Sequence, residues 1–119
     1  GDTLYVGGIR DVLVALDAAT GKERWRVDFP KPADAPPPTF GFVSSPLVLA
    51  DGVVVQAGGA VVKLDKATGK VLWKGLADGG GMMGSAFASP VLAPLAGKDQ
   101  LIVQTRSKLA GLDPATGAE

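Results

Sequence analysis

The sequence predicts an all-β fold, a β-propeller built from four-stranded antiparallel blades with 48-residue repeats, of which about two and a half are present. Three observations carry this expectation. A unit recurs every 48 residues, short β-branched apolar runs fill it, and 17 Gly and 9 Pro among 119 residues punctuate those runs. So dense a supply of turn formers opposes long helices and favours many short strands. A period of roughly 40–50 residues with four strands per unit is that of propeller blades, whereas solenoid repeats are usually shorter.

The repeat is carried by one turn. Ala15, Asp17, Thr20, Gly21, Lys22 and Trp25 are followed 48 residues later by Lys63, Asp65, Thr68, Gly69, Lys70 and Trp73. A third copy has Gly111, Asp113, Thr116, Gly117 and Ala118, and its tryptophan would fall two positions beyond Glu119. Aspartate at the head of such a turn can accept backbone N–H groups, and the glycine supplies the positive φ that closes a hairpin.

With strand positions labelled A to D within a unit, the elements follow in order. Residues 1–28 form a partial blade with B at Leu4–Val6, C at Val12–Leu16 and D at Glu23–Val27. Residues 43–74 form a complete blade, with A at Ser45–Leu49, B at Val53–Gln56, C at Val61–Leu64 and D at Val71–Lys74. Residues 86–119 supply A at Ser89–Leu92, B at Leu101–Thr105 and C at Lys108–Leu112, without D. Most of these runs are apolar and rich in Val, Ile and Leu, and turn formers such as Gly, Pro, Asp and Thr separate them. Ser45-Pro46 returns as Ser89-Pro90 at an offset of 44, so Pro94–Gln100 is expected to be a longer A–B turn than Ala50–Gly52. All three pieces belong to one propeller segment.

Composition excludes several chemistries. There is no Cys, His or Asn in the chain. Disulfides, thiolate nucleophiles and Ser-His-Asp or Cys-His arrangements are therefore unavailable, and a structural zinc site is not expected. Twelve Lys and Arg balance twelve Asp and Glu, which gives no electrostatic reason to expect nucleic acid as the partner. No transmembrane segment is present in the sequence, since no apolar run nears roughly 18 residues. The start at Gly1-Asp2-Thr3 has the look of a cut or processed end.

Strand order divides the two ends of the blades. A–B and C–D turns share one end, where the Asp-x-x-Thr-Gly turns read as architecture. B–C turns and D–A connections share the other, and loops on a rigid scaffold are where function concentrates. A partner face is expected there, from Phe40, Phe42, Met82, Met83, Phe87, Arg10, Arg106 and Lys108. Gly79–Gly84 satisfies G-x-G-x-x-G by letter, but Ala88-Ser89-Pro90 opens a strand where a dinucleotide site needs a helix. Pro30 to Pro38 reads as an extended connection. Ser44, Ser45 and Ser89 are expected to hydrogen-bond at the ends of strand A, with no base to activate them.

The pattern A-x-D-x-x-T-G-K-x-x-W at Ala15–Trp25, with its copies at Lys63–Trp73 and Gly111–Glu119, resembles the tryptophan-docking motif of pyrroloquinoline-quinone (PQQ) repeat propellers. The resemblance implies a structural blade-docking role for Ala15, Asp17, Thr20, Gly21, Lys22, Trp25, Asp65, Thr68, Gly69, Lys70, Trp73, Asp113, Thr116 and Gly117. The family includes quinoprotein dehydrogenases and cofactor-free propellers of outer-membrane protein assembly. Rings in it close with seven or eight blades, so the chain is expected to be about a third of one, completed by further blades of a longer chain or by other subunits. The expected role is a non-catalytic interaction scaffold in a periplasmic or extracellular bacterial protein. The alternative is a fragment of a PQQ-dependent alcohol or sugar dehydrogenase whose cofactor site lies in unseen blades, and PQQ with calcium enters only there. No catalytic, cofactor-binding or metal-binding residue carries over from the resemblance.

Overall fold

A computed structural model describes residues 1–29, 43–77 and 87–119. Ten strands occupy them: β1 (Thr3–Gly8), β2 (Val12–Asp17), β3 (Glu23–Asp28), β4 (Leu47–Val48), β5 (Val53–Ala57), β6 (Ala60–Leu64), β7 (Val71–Gly75), β8 (Val91–Leu95), β9 (Lys98–Gln104) and β10 (Leu109–Leu112). They form three antiparallel sheets, in the orders β1-β2-β3, β4-β5-β6-β7 and β10-β9-β8. This is the up-and-down order of propeller blades, and the described residues contain no helix.

Each C–D step carries the same irregularity. The β2–β3 register shifts between Ala15 and Leu16, and the β6–β7 register shifts between Lys63 and Leu64. The extra residue strengthens the local twist where the outermost strand begins. Sheets that stack face to face then bury their inner side chains in two clusters. Leu13, Phe29, Val53, Val55, Ala57, Ala60, Val62 and Leu64 lie between the first and middle sheets, with Tyr5, Trp25 and Val27 at the margin. Val54, Val61, Leu101, Val103, Ala110 and Leu112 lie between the middle and third sheets, flanked by Leu47, Leu49, Trp73 and Leu76.

The middle sheet is covered on both faces, so every residue of β6 is buried, whereas β1 alternates between half-buried and exposed. A continuous apolar run such as Val53-Val54-Val55 is the signature of that two-sided burial. Exposed Leu4, Val6, Val91 and Leu109 belong instead to the first and third sheets, each covered on one face only.

Two expectations about strand A are corrected. Pro94–Gln100 is not a long turn: β8 runs through Leu95, β9 starts at Lys98, and Pro94 faces Asp99 in register. The four extra residues lengthen the ladder, and Ala96-Gly97 alone turns the chain, with φ of 51° and 77°. Positive φ at both central residues gives the mirror-image turn whose twist matches a hairpin. In the middle sheet strand A is shorter than expected, Leu47–Val48 rather than Ser45–Leu49.

Candidate partner-binding face and the turns opposite it

Three Asp-x-x-Thr-Gly turns share one geometry. Asp17 Oδ1 accepts from the amides of Ala19 (3.1 Å) and Thr20 (2.9 Å) and from the Thr20 hydroxyl (2.9 Å). Asp65 repeats all three bonds with Ala67 and Thr68, and Asp113 repeats the two amide bonds with Ala115 and Thr116. Gly21, Gly69 and Gly117 close the turns at φ between 71° and 73°. Bonds to the charged carboxylate hold all three aspartates below their ordinary range. For Asp17 the Arg24 guanidinium comes first, for Asp65 the Thr68 hydroxyl, and for Asp113 the Thr116 amide. Lys22 and Lys70 contribute the backbone of the turn, and Ala118 makes the same backbone bonds, which is why the third copy closes without a lysine.

These turns also meet the preceding sheet. Trp25 donates its indole N–H to the carbonyl of Lys66 at 2.8 Å, and Trp73 donates to that of Pro114 at 3.2 Å. The rings lie flat on the turn glycines: a Cβ on Gly69 would stand 2.7 Å from Trp25, and one on Gly117 would stand 2.6 Å from Trp73. Beyond its conformational role, glycine is therefore the only residue that leaves room for the indole. Tyr5 adds a tilted contact to Trp25, with ring centroids 5.8 Å apart.

Lys63, which stands where the first copy has Ala15, adds a second bridge between sheets. Its side chain is only 2% exposed, and Nζ donates to Asp51 Oδ2 at 2.7 Å and to the Pro114 carbonyl at 2.8 Å. Gly52 makes space for it, since a Cβ there would lie 2.7 Å from Lys63 Cε. The one departure that Lys63 makes from the Ala15 position of the pattern was the only sign of this bridge in the sequence.

At the opposite end, the B–C turns join neighbouring sheets. Asp11, at φ 56°, accepts from the Gly58 amide of the next sheet at 2.9 Å, and its carbonyl accepts from the amide of Phe29 at 3.0 Å. Thr105 organises the third B–C turn by accepting from the amides of Ser107 and Lys108. Near the strand A starts, the Ser89 hydroxyl accepts from the Ser45 amide at 2.8 Å, and Gln56 donates to the Ala88 carbonyl at 2.8 Å. A cleft of about 380 Å³ lies between the Leu76–Ala77 exit of β7 and the turn 105–108. Arg106 and Lys108 bring cationic side chains to it, and Lys108 is ion-paired with Glu119. Arg10 and Phe87 are exposed but lie outside its lining. Phe40, Phe42, Met82 and Met83 fall outside the described residues, as do the Pro-rich and Gly-rich connections.

The three stacked sheets and their repeated turns are matched by known proteins. A family model described as "Outer membrane protein assembly factor BamB", of the PQQ repeat type, matches residues 1–119. The chain belongs to this family. BamB from Moraxella catarrhalis superposes with a TM-score of 0.73 at 25% identity, over 99% of this chain and 33% of that one. A quinohemoprotein alcohol dehydrogenase from Comamonas testosteroni superposes with a TM-score of 0.66 at 22% identity, over 98% of this chain and 18% of that one, a likeness of fold. In sequence, the chain is 35% identical over 81 aligned residues to the quinohemoprotein alcohol dehydrogenase ADH IIB of Pseudomonas putida, covering 62% of this chain and 11% of the relative. The chain thus spans a third or less of the length of these proteins.

Proposed function

We propose that this chain is a non-catalytic propeller segment that serves as a protein-interaction scaffold in an exported or envelope protein. The observation that carries this reading is the match of all 119 residues to a family described as an outer-membrane protein assembly factor. The physical arrangement agrees with it. Stacked sheets make a rigid support, and the connections assigned to their B–C end carry exposed Ile9 and Phe87 and the exposed charges of Arg10, Arg106 and Lys108. Mixed apolar and cationic loop surfaces suit protein partners better than buried chemistry. Formal charge of zero gives no drive towards nucleic acid. Among the described residues no helix is long and apolar enough to cross a membrane.

A second reading, a piece of a PQQ-dependent alcohol or sugar dehydrogenase, is favoured by the 35% identity to a quinohemoprotein alcohol dehydrogenase. Under this reading the cofactor site lies in blades outside this chain. Among the described residues no three Asp or Glu side chains come together as metal ligands. Arg106 and Lys108 could face an anionic ligand but not ligate calcium. No catalytic step is assigned to them.

Two measurements on the full-length protein separate the readings. A photo-crosslinking residue placed at Arg106 or Phe87 should capture an envelope protein in cells, while the same residue at Lys22 should not. Added PQQ and calcium should leave no quinone absorbance after desalting. A retained, calcium-dependent quinone band would overturn the scaffold reading.

A further inference from the structure

We propose that the cleft between the middle and third sheets binds an acidic-aromatic segment of a partner protein, one that presents a carboxylate beside a phenyl ring. The equivalent junction between the first and middle sheets shows what fills this position when the chain supplies it. Phe29, the residue after β3, is buried in one cluster with Ala57 and Ala60, which flank the B–C turn of the middle sheet. Beside it Asp11 spans the junction. Its carbonyl accepts from the Phe29 amide at 3.0 Å, and its carboxylate accepts from the Gly58 amide at 2.9 Å. A ring and a carboxylate thus close the first junction.

The second junction repeats the frame without the filling. One repeat of 48 residues on, Phe29 becomes Ala77, Asp11 becomes Gly59, and the Gly58 amide becomes that of Arg106. Gly59 keeps the positive φ of Asp11, 67° against 56°, so the missing group is the carboxylate. Ala77 is exposed where Phe29 is buried. The cleft of about 380 Å³ opens at this place, since Ala77, Thr105, Arg106 and Lys108 in its lining are the counterparts of Phe29, Ala57, Gly58 and Ala60. Its volume lies within the roughly 300–1,000 Å³ of ligand pockets and accommodates an aromatic side chain. Leu76, at φ 48°, follows the end of β7 and is only half-buried, so it does not seal the gap.

The lining selects the occupant. Thr105 and Lys108 replace the two alanines that flank the first ring, and Arg106 brings a guanidinium. Lys108 is ion-paired with Glu119, whereas among the described residues no carboxylate pairs with Arg106. A guanidinium suits both halves of the missing pair, because it donates to a carboxylate in a fork and stacks on an aromatic face. A purely apolar ligand would strip water from Arg106 and return nothing for it. This assignment names the chemistry of a partner and so rests on the interaction-scaffold reading.

The test titrates a fluorescein-labelled, amidated peptide, Gly-Ser-Phe-Asp-Ser-Gly, with the purified full-length protein and follows anisotropy. It should bind about fivefold more tightly than the same peptide with Asn for Asp or with Ala for Phe. Gly59→Asp combined with Ala77→Phe installs the pair of the first junction in the second and should weaken binding about tenfold. Arg106→Met should weaken it about fivefold and erase the preference for Asp over Asn. Ala77→Phe alone should erase the preference for Phe over Ala, and it stands in if the double variant does not fold. Urea unfolding followed by tryptophan fluorescence verifies that each variant is folded. Equal binding of the three peptides, or none, would overturn the proposal, as would undiminished binding by the refilled variant or by Arg106→Met. Binding that appears only in a Met82→Ala, Met83→Ala variant would mean that the chain's own connection occupies the cleft, and would overturn it likewise. The titration uses neither capture in cells nor quinone absorbance, so its failure is distinguishable from failure of the scaffold reading.

Discussion

Lys63 offers the sharpest test of what holds adjacent sheets together, because its stem and its charge can be removed separately. Lys63→Ala deletes three buried methylenes, which at about 0.8 kcal/mol each amounts to about 2.4 kcal/mol. The gap opens beside Gly52, which has no side chain to fill it, so a cavity contribution adds to the loss. The ammonium contributes far less. Its carboxylate partner, Asp51, has a side chain 66% exposed to solvent, where an ion pair is worth about 0–1 kcal/mol. Desolvation of the buried charge opposes even that gain. The Pro114 carbonyl is not orphaned when the ammonium goes, since Trp73 still donates to it. Lys63→Met keeps the stem and drops the charge, so it should cost no more than about 1 kcal/mol, against about 2–3 kcal/mol for Lys63→Ala. Urea unfolding followed by tryptophan fluorescence reads both, since Lys63 faces Trp73 across β6 and β7. Equal losses in the two variants would refute the reasoning and show that the charged bridge, not the packed stem, dominates.

Three further outcomes are expected. Trp73→Ala should destabilise the chain by about 3 kcal/mol in the same urea assay, at the low end for a large aromatic because the ring is only half-buried; a change near zero would show that it does not anchor the third sheet. Asp17, Asp65, Asp113 and Asp51 all have folded pKa values below the ordinary carboxylate value, so the unfolded chain binds protons first on acidification. Their contribution is present above about pH 4 and is lost as the pH falls below it, and Arg24→Met should move the acid midpoint upward by removing the leading cause at Asp17; an unchanged midpoint would contradict this. Ala96→Asn should stabilise by about 0.5–1 kcal/mol, because asparagine tolerates the left-handed conformation that Ala96 adopts in the β8–β9 turn; a loss of stability would mean that the turn changes type.

Most of the strand order was legible in the residues because the chemistry that sets it is local. Asp17 at the head of a turn, Gly21 at its close and a β-branched run on either side act within a few residues, and their recurrence at Asp65 and Asp113 makes the repeat visible. Where a decision depended on strand pairing or on a neighbouring sheet, the sequence was silent. Pro94–Gln100 reads as a loop by composition, yet pairing with the adjacent strand turns most of it into ladder. Lys63 reads as a departure from pattern, and only the third sheet supplies the Pro114 carbonyl that makes a buried ammonium tolerable. Asp11 reads as a turn residue, and only stacking brings the Gly58 amide to its carboxylate. The same division holds for the surface. Leu4 and Val53 are both apolar strand residues, but one is open and the other sealed because burial belongs to the pair of sheets and not to either chain segment. By itself the sequence determined the period, the strands and the turns; the tertiary structure decided which groups meet across the sheets, because those contacts join residues some 40–50 positions apart that no local preference can bring together.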